Sequence, residues 1–254
     1  MQTVTPPQRL DLTVYAPALK AHDDRTVAVV RGMERALPGL RLNWEVGKGG
    51  RPIELPQRDA WLVEAAARGK LPLLCNGDER YPITVSGRGR SGRLGPGGQS
   101  LLDISAELPL DAAVIAAAGE MLVHAGEGAR AFWGHATPDV AALDIAYQTA
   151  PTQDGPPSPR RGLPVLKLLE QIRAPEVPYF LGWLNYWSAA SAQALGFPDP
   201  TRDAELLSRA RRTVTGGWVV QLTSAPLDLD DPAHLDALLR AYERFPEIGG
   251  RATP

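Results

Sequence analysis

The stretch GRGRSGRLGPGGQSLLDISAEL, residues 87–108, decides between two folds. Its first six residues fit G-x-G-x-x-G, the loop that wraps a dinucleotide's pyrophosphate, and they follow YPITVS (81–86), which reads as a strand. That loop works only when its last glycine opens a helix whose N-terminal N–H groups hold the phosphate. Here Pro96 and Gly97–Gly98 prolong the turn instead. Leu102, Ile104, Ala106 and Leu108 then alternate with Asp103, Ser105 and Glu107, the period of a half-buried strand. No helix is there to receive a phosphate, so the nucleotide reading is rejected. What remains is a long hairpin connection carrying Arg88, Arg90 and Arg93, either a solvated loop or a basic finger for an acidic partner.

Working outward, the same alternation recurs. LDLTV (10–14), LRLNWEV (40–46) and LPLLC (71–75) read as strands. Strands with one polar face belong to a largely antiparallel sheet rather than to a buried parallel one. Helical stripes lie between them. Val29, Val30, Met33, Ala36 and Leu37 form one, ended by Pro38–Gly39, and RDAWLVEAAARGK forms a second, stopped at Gly69. Residues 109–125 form a third, with Gly126 as its expected stop, and a fourth starts near Thr137–Pro138 after a short strand or turn. The stretch 149–164, rich in Pro and Gly, is expected to be a surface loop within a single domain spanning 1–254. Residues 181–197 read as a helix, or as a helix entered from a strand. Gly216–Gly217 marks a two-residue hairpin turn. The final helix has Asp231 as N-cap, Pro232 at its first position and an apolar stripe of Leu235, Leu238, Leu239 and Tyr242. The fold class is therefore α+β: a largely antiparallel sheet flanked by helices, with a C-terminal β-hairpin followed by a helix.

Composition narrows the function. The 254 residues carry a net charge of −2, so no global field draws nucleic acid or an anionic membrane to the chain. Cys75 is the sole cysteine, which excludes an internal disulfide framework and suits a reducing compartment. The start lacks a basic region followed by an apolar run, and the apolar stretch LDAAVIAAAGEMLV contains Asp111 and Glu120. A cytoplasmic protein is expected, without membrane or nucleic-acid partners.

Chemistry-bearing motifs are sparse. His22, His124, His135 and His234 fall at no metal-ligand spacing, no second cysteine exists, and no metal or cofactor is expected. His22 and His234 fall in helix first turns and read as solvated; His124 reads as a cap near a helix C-terminus. Asp228, Asp230 and Asp231 precede a proline-started helix and read as capping groups. One arrangement could do catalysis: Cys75 at a strand end, with His135 and Asp139 from GHATPD, as in a small cysteine-dependent hydrolase or transferase. The aromatics cluster as Phe132–Trp133, Tyr179–Phe180 and Trp183, Tyr186 and Trp187. At helical spacing Trp183 and Trp187 share a face with Tyr186 beside them, as core or as binding anchors.

GWLNYWS (182–188), followed by GGWVVQLTSAPLDLDDPAHLDALLRAYE (216–243), resembles the immunity protein 52 family of bacterial polymorphic toxin systems. The likeness is carried by residues 181–245, with weaker echoes in LDLTVYAP (10–17) and VVRGMERALPGL (29–40). Over its whole length the chain also resembles a related bacterial family of unknown function, through LPLLCNGDE (71–79) and ARAFWGHATP (129–138). The resemblance implies a cytoplasmic α+β protein that binds and neutralises a cognate toxin, with no catalytic residues. Arg88, Arg90, Arg93, Trp183 and Tyr186 are the candidate contacts.

Overall fold

The computed structural model describes residues 8–21, 23–149 and 160–252. Among these residues ten strands form one sheet, in the order β3-β2-β4-β5-β6-β1-β7-β8-β10-β9, and every adjacent pair is antiparallel.

The centre of the sheet is β1 (Arg9–Pro17), paired with β6 (Leu101–Pro109) on one side and β7 (Trp133–Pro138) on the other. Leu12 sits opposite Ala106 and Val14 opposite Ile104, so the apolar residues of both strands bury together on one face. Val14 also meets Gly134 of β7. A Cβ at Gly134 would lie 2.7 Å from the Thr13 carbonyl oxygen, which explains a glycine in mid-strand.

That apolar face is covered by α1 (Arg25–Ala36) and α3 (Ala112–Ala129). Asp111 caps α3 by accepting the Val114 N–H at 2.9 Å. The helix does not stop at Gly126 as expected; it runs on to Ala129 and closes at Arg130 in the left-handed region, φ 53°. The two late glycines serve packing. A Cβ at Gly126 would strike the Tyr186 ring at 2.7 Å, and one at Gly128 would lie 2.9 Å from the Val29 nitrogen of α1. Buried Arg25 ties the layers together, its guanidinium donating to the carbonyls of Pro17, Ala18 and Ala129 and pairing with Asp23 at 2.6 Å.

One wing holds β2 (Trp44–Val46), β3 (Pro52–Glu54), α2 (Arg58–Ala67), β4 (Leu71–Cys75) and β5 (Thr84–Arg90). The strand expected over 40–46 is ladder-paired only from Trp44 on, although Leu40 and Leu42 are buried. The larger correction is in GRGRSG. Residues 87–90 extend β5 against β6 and are not loop. Gly87 lets the strands approach, since a Cβ there would sit 2.9 Å from that of Leu71. The remaining turn folds as two short 3-10 segments, Gly92–Leu94 and Pro96–Gly98, tethered by the Gly97 N–H to the Ile172 carbonyl at 2.8 Å.

The other wing holds α4 (Asp139–Ala146), β8 (Leu184–Trp187), α5 (Ala189–Ala194), α6 (Ala204–Leu207), β9 (Ala210–Arg212), β10 (Trp218–Gln221) and α7 (Pro232–Arg244). Residues 181–197 thus follow the strand-entered alternative. Alternation still puts Trp183 and Trp187 on one face, but it sends Tyr186 to the opposite face, against α3. The C-terminal hairpin forms, with a longer turn than the expected two residues: the Thr213 N–H bonds the Gly217 carbonyl at 2.9 Å. Asp231 caps α7 and Pro232 opens it. The Pro/Gly-rich loop expected over 149–164 lies, at 150–159, outside the described residues.

Candidate functional site

The second face of the sheet is only partly covered. At one end Leu169 and Ile172 pack on Leu101, with Phe132, Val177 and Tyr179 beside them. At the other end no described residue covers the polar halves of the central strands. Strand register brings Asp11 opposite both Glu107 and Thr137, and Thr13 opposite both Ser105 and His135. With α4 and Phe180 as walls, these residues line a groove of about 500 Å³.

His135 lies in the floor, almost wholly buried. Its Nδ1 is 3.1 Å from Thr137 Oγ1, and its ring meets Phe180 edge-on at 4.5 Å. Its Nε2 has no hydrogen-bond partner among the described residues, which is costly for a buried polar atom. Burial pushes the imidazole down to about 3, so the ring is neutral at physiological pH. Asp11 is pushed the other way, up to about 6, first by burial and then by the negative charges of Glu107 and Asp139, with Arg9 opposing. Arg9 itself pairs with Glu107 at 2.7 Å. Thr13 Oγ1 and Ser105 Oγ lie 3.3 Å apart. The groove therefore combines an acidic lip, a neutral imidazole with a bare nitrogen, and an apolar wall that includes Leu143, 57% exposed. Among the described residues, no three His, Cys, Asp or Glu side chains are grouped to hold a metal ion.

His135 and Asp139 both line this groove, but no hydrogen bond joins them among the described residues: Nδ1 of His135 faces Thr137 and Nε2 has no partner. Cys75 does not join them. The path from its strand crosses β4-β5-β6-β1-β7, and four strand spacings place it ~19 Å away. The thiol and imidazole cannot act on one another, and the constellation fails. Arg90 is half-buried and committed to Asp103 at 2.5 Å, whereas Arg88 and Arg93 are exposed. Trp183 and Tyr186 are both 2% exposed, so neither side chain is presented at the surface. The Trp183 indole N–H donates to the Thr223 carbonyl at 3.0 Å. His124 lies within α3 against Gly32 rather than at a helix end, and His234 accepts the Asp228 N–H at 3.1 Å instead of being solvated. His22 is outside the described residues.

Sequence reasoning missed Asp11, Glu107 and Thr13. Their signal was present as the polar halves of LDLTV and LLDISAEL, but only the pairing register puts them on one surface.

The sequence matches a family described as a domain of unknown function (DUF5953) over residues 21–253. The chain belongs to that family. The match is to a family of unknown function, as the resemblance over the whole length implied, and it makes no assignment to immunity protein 52. No curated protein matches the sequence. Among solved structures the chain is similar to the Pseudomonas aeruginosa T6SS protein PA0821, at a TM-score of 0.54 and 18% identity, covering 94% of this chain and 76% of that one. At that identity the likeness is one of fold. No helix among the described residues is long and apolar enough to cross a membrane.

Proposed function

We propose that the protein is an immunity-type binding protein, which neutralises a cognate bacterial toxin by stoichiometric binding and without catalysis. The observation that carries this reading is the fold shared with a T6SS protein across 94% of the chain. The resemblance of residues 181–245 to immunity proteins points the same way. The separation of Cys75 from His135 counts against the one nucleophilic arrangement that the sequence offered.

In this reading the protein works by shape and charge. A rigid sheet-and-helix body covers the toxin's working surface, and exposed charges such as Arg88 and Arg93 speed and select the encounter. Trp183 and Tyr186 contribute by stiffening the core beneath that surface.

Co-expression with a toxin encoded by a neighbouring gene tests it. Rescue of growth together with a complex of defined stoichiometry on size-exclusion chromatography is expected. Growth arrest despite folded protein, or no complex between the purified partners, refutes it. Alkylation of Cys75 by iodoacetamide is expected to leave protection intact; loss of protection in a still-folded protein would reinstate a thiol-dependent activity.

A further inference from the structure

The groove on the open sheet face has three features that its structural role leaves unexplained. Asp11, Glu107 and Asp139 gather negative charge at one place, and Arg9, paired to Glu107, is the cation beside Asp11. Like charges brought together on a part-buried surface oppose folding. His135 holds a buried Nε2 with no hydrogen-bond partner among the described residues. Leu143 stands exposed on the groove's wall, 57% accessible.

Each feature names part of an occupant. The carboxylates call for a cation. The bare nitrogen takes an N–H donor in the tautomer whose Nδ1–H donates to Thr137, which leaves a lone pair on Nε2. The apolar wall of Leu143, Ala146 and Phe180 calls for an aliphatic stem. A metal ion does not fit, because the carboxylates are not grouped as ligands. A guanidinium or ammonium on a methylene chain satisfies all three, and such chains lay their stems along apolar surface while the head reaches charge. Among the described residues the groove is open, with an acidic lip above an apolar wall, which suits a side chain carried on a larger surface.

We propose that this groove is the seat for a basic side chain, arginine or lysine, projecting from the partner protein. Its charged head lies between Asp11, Glu107 and Asp139 and donates to Nε2 of His135, and its stem lies on Leu143 and Phe180. The proposal rests on the toxin-binding reading above and assigns that binding to a surface.

Two measurements test it. In the first, the protein is labelled with 15N at histidine and titrated with n-butylguanidinium chloride. A saturable shift at His135 Nε2 is expected, weakened about tenfold or more in Asp11→Asn. No shift, an equal shift in Asp11→Asn, or a free-state spectrum showing the proton on Nε2 overturns the proposal. In the second, the purified toxin is titrated into wild type, Asp11→Asn and Leu143→Glu by calorimetry. Both positions are at least partly exposed, so the variants are expected to fold, and circular dichroism checks this. A rise in Kd of about tenfold or more in each variant is expected. Tight binding by wild type with unchanged Kd in both variants removes the groove from the interface and leaves the immunity reading standing. No binding by folded wild type removes the immunity reading, and this assignment with it.

Discussion

Replacing Asp11 by Asn is expected to make the protein more stable at neutral pH, which is unusual for a substitution in a central strand. The carboxylate of Asp11 makes no side-chain hydrogen bond among the described residues, and its surroundings hold it at about 6 against an ordinary 3.8. Burial is the main cause; Glu107 from β6 and Asp139 from α4 add to it, and Arg9 on the same strand opposes. His135 of β7 is neutral and adds no charge. Below about pH 4 the group is protonated whether the chain is folded or not, and folding carries no penalty from it. As the pH rises through about 6 the folded protein must hold a charge that the unfolded chain accommodates more easily, and that stability is lost. The rise from 3.8 to about 6 corresponds to ~3 kcal/mol, which solvent screening at this part-exposed position lowers to ~1–2 kcal/mol. Asparagine keeps the shape and never ionises, so at pH 7 the variant recovers that amount, a rise of about 3–6 °C in Tm for a chain of this size. Urea denaturation of both proteins at several pH values from 4 to 7.5 measures it. The two stabilities should converge near pH 4 and separate as the pH rises. Curves that stay parallel, or a variant less stable at pH 7, would refute the account of the groove as an electrostatically strained surface.

Other substitutions probe what holds that surface in place. Arg25→Leu leaves the carbonyls of Pro17, Ala18 and Ala129 and the carboxylate of Asp23 without their guanidinium, and a loss of about 3–5 kcal/mol in urea unfolding is expected; a loss below 1 kcal/mol would mean water replaces the guanidinium. Gly128→Ala puts a methyl 2.9 Å from the Val29 nitrogen. The resulting separation of α1 and α3 is expected to cost about 1–3 kcal/mol, more than the ~1 kcal/mol gained in helix propensity, and a net stabilisation would show that the helices do not pack this closely. Asp111→Ala removes the α3 cap and should cost about 1 kcal/mol, whereas Asp111→Asn should retain most of it.

Much of this protein was legible locally. The alternation in LLDISAEL excluded a nucleotide loop and pointed to an antiparallel sheet; Asp111 and Asp231 announced their helices, and Gly69 ended another. These signals are short-range because backbone geometry gives strands and helices their periods, and the chain carries those periods whatever it packs against. Tertiary structure decided everything that depends on which faces meet. Glycines that look like stops or phosphate loops, Gly126 in one helix and Gly87 in one strand, mark places where a distant ring or side chain comes close. Trp183 and Tyr186 are anchors by residue type and core by location, since both faces of β8 are covered. Cys75 and His135 sit on good strand positions, yet three strands lie between theirs. Asp11, Glu107, Asp139 and His135 come from three strands and a helix, and they form one groove because antiparallel register aligns their polar halves and the described segment around Leu169 and Ile172 does not extend over that end of the face. A period tells which side of a strand is polar; only the pairing of distant strands tells what that side looks at.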